Sequence, residues 1–369
     1  MEQLTPSPRI RKSPFYNATV RDGVTDFTVY NKMLMPTSFG DPKAEYERLI
    51  KGVAMWDVAA ERQVQISGPD AHRLAQYLSS RDISNMVSGH AKYIAMCDHE
   101  GHILNDPILM KLDENQYWFS IADSDMLLWC RAVAFERGFD AMVTEPDVSP
   151  LAIQGPLADD LTADILGEWV RSLRYFWFKE TQLDDIPVVV CRSGWSKQGG
   201  FELFLQDGSK ADKLYELIKS AGQKYGIGPG APNHVERVES GLLSWGGDTA
   251  PESNPFEAGM AKYVDTDTDV DYVGKAALRR IAATGSERLF TGLILEGSAT
   301  SEWPLPERAP IYFEGEQVGT MSAVVHSHRL GQTIALAQIK RSIVVERMPV
   351  EIISPTGMQS AEIHPLPFI

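Results

Sequence analysis

Two short segments constrain this chain more than any others. Ser67-Gly68-Pro69-Asp70-Ala71 and Gln154-Gly155-Pro156-Leu157-Ala158 each end a strand-like run and open an amphipathic helix. The first follows the alternating run Arg62 to Ile66, and its helix carries Leu74, Tyr77 and Leu78 on one face. Three strand-like runs come next, Tyr93 to Cys97, Ile103 to Leu112 and Tyr117 to Ile121, with turns at 98–101 and 113–115. They predict a three-stranded meander. A helix at Met126 to Arg137 and a strand at Asp140 to Glu145 follow. The second segment leads through a helix to Leu166, apolar strands at Ile186 to Cys191 and Phe201 to Leu205, and an amphipathic helix from Lys210 to Gly222. The order recurs, which predicts two related α+β halves, residues 1–140 and 141–284. Beyond Gly285 the pattern changes. Short strand-like runs (Phe290 to Leu295, Pro310 to Phe313, Gln317 to Met321, Thr333 to Ile339, Val350 to Ile353) alternate with turns and no helix intervenes. Residues 285–369 are expected to form a small C-terminal β-barrel or sandwich. The fold class expected is α+β.

Composition limits the function. Hydrophobic residues make up 43% and charged residues 23% of 369, enough to build a sizeable core. The formal net charge of -15 argues against a general nucleic-acid or acidic-membrane binder. No apolar core follows the polar segment Met1 to Pro14, so no secretion signal is expected. No run of about 18 apolar residues predicts a membrane span. Cys97, Cys130 and Cys191 are far apart and each sits in an apolar stretch. They fit buried packing in a reducing, cytoplasmic setting rather than a disulfide framework or zinc ribbon. The sequence leaves the oligomeric state open, and a homodimer is compatible with it.

Several constellations could carry chemistry. The loop Arg192-Ser193-Gly194-Trp195-Ser196-Lys197-Gln198-Gly199-Gly200-Phe201-Glu202 combines three glycines, an aromatic, a cation and a closing carboxylate between two strands. It reads either as a hairpin loop with an exposed Trp or as the cradle of a flat polar ligand. Asn105-Asp106-Pro107 interrupts an apolar strand. Asp106 is there an edge feature or a buried functional group that needs partners. Arg237 lies on a short helix, and a surface ion pair is the expectation for it. His326 and His328 are read as loop histidines. No HExxH, P-loop or GxSxG pattern occurs, and no metal site is expected. Gly226-Ile227-Gly228-Pro229-Gly230 lacks dinucleotide-binding spacing.

Taken in order, these motifs resemble the folate-dependent aminomethyltransferase family typified by the T-protein of the glycine cleavage system. Gly52-Val53-Ala54-Met55-Trp56-Asp57-Val58 is similar to its early Gly-Val-x-x-x-Asp segment, and Val64 to Ala71 to its next strand and turn. Asn105-Asp106 falls on its Asp-Asp strand, and Leu151 to Pro156 on its Leu-x-x-Gln-Gly-Pro turn. Arg237-Val238-Glu239-Ser240-Gly241, Pro255 to Gly259 and Tyr272 to Leu278 match later motifs. Within the family, Gly194-Trp195-Ser196-Lys197-Gln198-Gly199-Gly200-Phe201-Glu202 resembles the dimethylsulfoniopropionate demethylases. So do Thr28 to Leu34, Glu61 to Val64 and Ile121 to Asp125. The likeness is strong over residues 9–280 and weaker after 285.

The resemblance implies two folate-binding α+β halves and tetrahydrofolate as methyl acceptor. The donor implied is a small sulfonium zwitterion, dimethylsulfoniopropionate, with methylthiopropionate and 5-methyltetrahydrofolate as products. The alternatives are an aminomethyltransferase, an N- or O-demethylase, or a non-catalytic folate-binding protein. By position it implies Asp106 as the catalytic-site carboxylate, with Tyr93, Asp106, Ser120, Trp195 and Glu202 as folate contacts. Tyr30, Trp177 and Trp195 are the candidates for the donor pocket, and Lys32 for the donor's carboxylate. A sulfonium methyl is already activated, so neither metal nor covalent nucleophile is needed, and positioning supplies up to about 7–11 kcal/mol. Glu202 would accept paired hydrogen bonds from pterin N–H groups. Trp195 would attract the sulfonium, worth about 0.5–2 kcal/mol. Asp106 would orient folate and stabilise charge developing at N5.

Overall fold

The computed structural model describes residues 7–296, 307–354 and 357–369. Residues 1–6 of the polar segment Met1 to Pro14 lie outside the described residues. The chain forms two compact units. One comprises residues 1–75, 84–93 and 107–233, and the other 76–83, 94–106 and 234–369.

Two large, mainly antiparallel sheets build the first unit, beside a two-stranded sheet of Asp26–Tyr30 and Met33–Ser38. One has five strands, in the order Met142–Thr144, Gln63–Ser67, Gln116–Ser120, Ile108–Asp113, His90–Tyr93. The other has six: Phe178–Leu183, Ile186–Cys191, Gly200–Leu205, Ser149–Gln154, Ala54–Asp57, Gly228–Gly230, the last parallel to its neighbour. Ser149–Gln154 is buried at all six positions, with the apolar residues Leu151 to Ile153 between two buried polar ends. Its outward face (Leu151, Ile153) packs with Phe201 and Leu203 against Leu161, Leu214 and Ile218 of two helices, Ala158–Leu166 and Ala211–Ala221. The opposite face of the six-stranded sheet (Val189, Cys191, Phe204) meets Ala91, Met110 and Trp118 of the five-stranded sheet. Beyond the five-stranded sheet, Tyr117 reaches His72 of helix Ala71–Leu78 through a 2.9 Å hydrogen bond. The layering is helix, sheet, sheet, helix. Strands are exchanged between neighbouring stretches of sequence. Ala54–Asp57 joins the sheet of Ser149–Gln154, and Met142–Thr144 joins that of Gln63–Ser67.

The strand-to-helix turn at Gly155 holds because Gly155 has φ +131° and a β-carbon there would lie 2.3 Å from the Gly52 carbonyl oxygen. Helix Pro42–Lys51 starts where Asp41 accepts the Ala44 N–H, with proline at its first position.

The second unit carries a closed six-stranded barrel, ordered Arg288–Leu295, Gln332–Lys340, Glu316–Ser327, Ala309–Phe313, Val350–Ser354, Gly357–His364. Its interior holds Leu293, Ile311, Val324, Ala335, Ile339 and Ile352. The sequence predicted five of these strands. Gly357–His364 carries too few apolar residues to announce itself, yet it closes the barrel against Arg288–Leu295. A short helix, Arg341–Glu346, also occurs. His326 lies within a strand rather than a loop, and His328 follows that strand. Arg237 corrects a second expectation. It is 4% exposed and pairs with fully buried Asp248 at 2.8 Å, so it is an internal ion pair and not a surface one. Ser322 Oγ and the Ser244 N–H also donate to Asp248, at 2.6 and 2.7 Å.

The predicted strand Ile103 to Leu112 is broken. Ile103–Asn105 pairs with Met96–Cys97 in the second unit, whereas Ile108–Asp113 belongs to the five-stranded sheet. Pro107 lacks a donor for a ladder, and the break falls at Asp106-Pro107.

Candidate functional site

Loop 192–199 joins strands Ile186–Cys191 and Gly200–Leu205. Gly194 and Gly200 have φ +136° and +143°. A β-carbon on the first would lie 2.0 Å from Gln154 Nε2, and on the second 2.2 Å from the Ile153 carbonyl oxygen. The glycines let the loop lie flat on the end of strand Ser149–Gln154. Buried Gln154 staples it there. Its Nε2 donates to the Ser193 carbonyl at 3.0 Å, and its Oε1 accepts from Ser196 Oγ at 2.8 Å. Half-buried Trp195 sits between these two anchor points.

Glu202 follows on strand Gly200–Leu205, 3% exposed, opposite Cys191 and Ala152. Ser193 Oγ donates to Glu202 Oε2 at 2.5 Å. Among the described residues no hydrogen bond reaches Oε1. Burial raises the Glu202 carboxyl above its usual range, and the Ser193 hydrogen bond opposes that rise. The Cys191 thiol is pushed up mainly by burial, against an opposing hydrogen bond from Ser193 and with a further push from Glu202, so it stays neutral.

The facing sheet supplies a second set. Tyr93, Ile108, Ser120 and Gln63 stand directly opposite one another across four strands. They share the face of Ala91, Met110 and Trp118, two residues further along each strand. Strands His90–Tyr93 and Ile186–Cys191 both run antiparallel to segment 176–183, because the Ala91 N–H donates to the Phe176 carbonyl while Phe178 pairs with Cys191. Tyr93, Ser120 and Gln63 therefore extend the inter-sheet layer towards the same end as Ser193 and Glu202. Gln63 Nε2 donates to the Glu61 carbonyl at 2.6 Å and to Ser120 Oγ at 3.1 Å, while its buried Oε1 has no partner.

The other predicted residues are placed by their own elements. The Arg192 N–H donates to the Trp177 carbonyl at 3.0 Å, so Trp177 prolongs strand Phe178–Leu183 by one residue. Alternation turns its ring away from the face of Phe178, Cys191 and Glu202. It stacks on His90, centroids 4.9 Å apart, beside a cleft lined by Ser172, Leu173 and Arg174. Tyr30 packs against the helix-side core. Lys32 is exposed and paired with Asp125 at 2.7 Å. Asp106 is half-buried and ends segment 94–106 of the second unit. Sequence reasoning passed over Ser193, Gln154 and Gln63. For Gln154 a signal was present: it is an amide that follows the apolar residues Leu151 to Ile153 at the end of its strand.

Residues 15–268 match the GCVT N-terminal domain and residues 288–369 the glycine cleavage T-protein C-terminal barrel domain. The chain belongs to the glycine cleavage T-protein family. Within it, the chain is 41% identical to the dimethylsulfoniopropionate demethylase of Ruegeria pomeroyi over 364 residues, 99% of each. It is 28% identical to an aminomethyltransferase of Staphylococcus haemolyticus over 338 residues, 90% of this chain and 91% of that one. The solved glycine cleavage system aminomethyltransferase T of Bartonella henselae shares the fold, with TM-score 0.85, 22% identity and 98% of each chain covered.

Proposed function

We propose that this chain is an enzyme that moves a methyl group from dimethylsulfoniopropionate to N5 of tetrahydrofolate, releasing methylthiopropionate and 5-methyltetrahydrofolate. One observation carries the folate half. Glu202 is a buried carboxylate with one oxygen held by Ser193 and the other open to a donor. A flat ligand presenting adjacent N–H groups satisfies it, and the pterin edge of folate has that chemistry. The donor half rests on the 41% identity to the Ruegeria pomeroyi demethylase and on Lys197-Gln198 in the loop.

When bound, tetrahydrofolate supplies a ring amine that accepts the methyl group. The chain's own residues bind and orient. Glu202 fixes the plane and rotation of the pterin. Ser120 and Tyr93 line the facing sheet. Trp195 offers an aromatic face to the sulfonium, with Tyr30 and Trp177 as the further candidates for the donor pocket. Asp106 orients folate and stabilises positive charge as the methyl arrives. Small diffusible substrates require neither nucleic acid nor a membrane, and among the described residues no helix is long and apolar enough to cross one. We place the reaction in the cytoplasm, in keeping with three buried free cysteines. A homodimer is equally compatible with this chemistry.

The test mixes protein, tetrahydrofolate and dimethylsulfoniopropionate and looks for both products. Their formation, with turnover lowered about a hundredfold or more in Asp106→Ala, is expected. Turnover with an aminomethyl or methylamine donor and none with the sulfonium overturns the proposal.

A further inference from the structure

The Ser193 hydroxyl donates to Glu202 Oε2, on the carboxylate proposed to hold the ligand, and also lies within hydrogen-bonding reach of the Cys191 thiol. Ser193 is 2% exposed and Glu202 3% exposed, so no bulk water competes for this hydrogen bond. The serine is itself fixed: its carbonyl receives the Gln154 amide at 3.0 Å, and Gly194 beside it leaves room for that approach. Arg192, next in the chain, turns its guanidinium to Asp159 through two hydrogen bonds, at 3.0 and 2.9 Å, and lends Glu202 no charge. Nor do the surrounding elements. The strand Ile186–Cys191 presents the neutral Cys191 thiol, the strand Ser149–Gln154 presents Ala152, and Tyr93 is the titratable side chain in the facing row. A buried carboxylate without a cation depends on its hydrogen-bond donors to stay charged.

We infer that Ser193 is a positioning residue for folate: it holds Glu202 Oε2, aims Oε1 at the pterin N–H groups, and keeps the carboxylate able to accept both. This rests on the folate reading above. The hydroxyl thus decides two things, the rotation of the carboxylate and the lowest pH at which it still accepts hydrogen bonds. Removing it favours the protonated acid, which would present a donor to a ligand edge made of donors.

The experiment measures tetrahydrofolate binding without oxygen, from pH 5 to 9, for wild type, Ser193→Ala and Ser193→Thr, with thermal melting alongside. Ser193→Ala is expected to weaken binding about tenfold at neutral pH. Its acid-side loss of affinity should move to higher pH, while Ser193→Thr, which keeps a hydroxyl, stays near wild type on both counts. In a Glu202→Gln background Ser193→Ala should leave the pH profile unmoved. Ser193→Cys, similar in size and a weak donor, carries the same comparison if the alanine variant does not fold. Equal weakening at every pH without rescue by threonine, or a wild-type profile in Ser193→Ala, overturns the inference and leaves the proposed function standing. Absence of tetrahydrofolate binding by the wild-type protein overturns the proposed function itself.

Discussion

At the residue scale, two buried carboxylates show how surroundings set use. Glu202 keeps one oxygen open, and Glu202→Gln should weaken tetrahydrofolate by about 10–100-fold in equilibrium binding, because one acceptor becomes a donor facing donors. Unchanged affinity would remove Glu202 from the site. Asp57 has no such opening. It is fully buried, receives the Ser13 hydroxyl and the Ala59 N–H, and burial lifts its carboxyl from 3.8 to about 6. A raised carboxyl favours folding only while protonated. Its contribution is fully present below about pH 4 and lost as pH rises through about 6, an upper figure of about 3 kcal/mol at neutral pH. Asp57→Asn should therefore melt higher relative to wild type at pH 7.5 than at pH 4.5; an equal difference at both values would contradict this. Glu202 was legible in the sequence because the glycine loop led to it. Ser193 was not, since a serine before a glycine is common in loops and its partner lies nine residues on.

At the scale of elements, strands were read well wherever their apolar runs were local. Ile186–Cys191 and Gly200–Leu205 needed only their own composition. What periodicity could not reveal was pairing between distant segments, such as Ala54–Asp57 lying beside Ser149–Gln154. It also could not weigh Pro107 against the apolar residues on either side, so one strand was predicted where two occur. The loop itself offers a graded test. Gly199→Ala meets nothing within 4 Å and bears only the strain of φ +81°, about 1 kcal/mol. Gly200→Ala would drive a β-carbon against the Ile153 carbonyl as well as adopting φ +143°. It should lower the melting temperature clearly more than Gly199→Ala and weaken folate binding with it. Equal melting temperatures would show that the loop is not pinned to Gln154.

At the scale of the molecule, the C-terminal domain was legible as a barrel, but its dependence on earlier segments was not. Val238 packs with Ala323, Val325, Ile334 and Leu336, Glu239 bonds Ser327 and Arg329, and the Phe290 N–H donates to the Glu257 carbonyl. A fragment of residues 285–369 would expose that apolar face, and it should lack the cooperative melting that the full chain shows. A sharp unfolding transition in the fragment would contradict this. Composition does not change at 233 or 234, so nothing in the sequence marked the boundary. The interleaving of the two units also has a meaning in time. During synthesis, residues 76–83 and 94–106 leave the ribosome well before 234–369, the partners they fold with. The Ile103 N–H waits for the carbonyl of Ser253, and Gly101 for Leu278 and Ile281. Asp106 closes that waiting segment. A chain interrupted before its last third would carry the glycine loop complete and Asp106 unplaced, so the proposed catalytic carboxylate becomes a record of whether translation was finished.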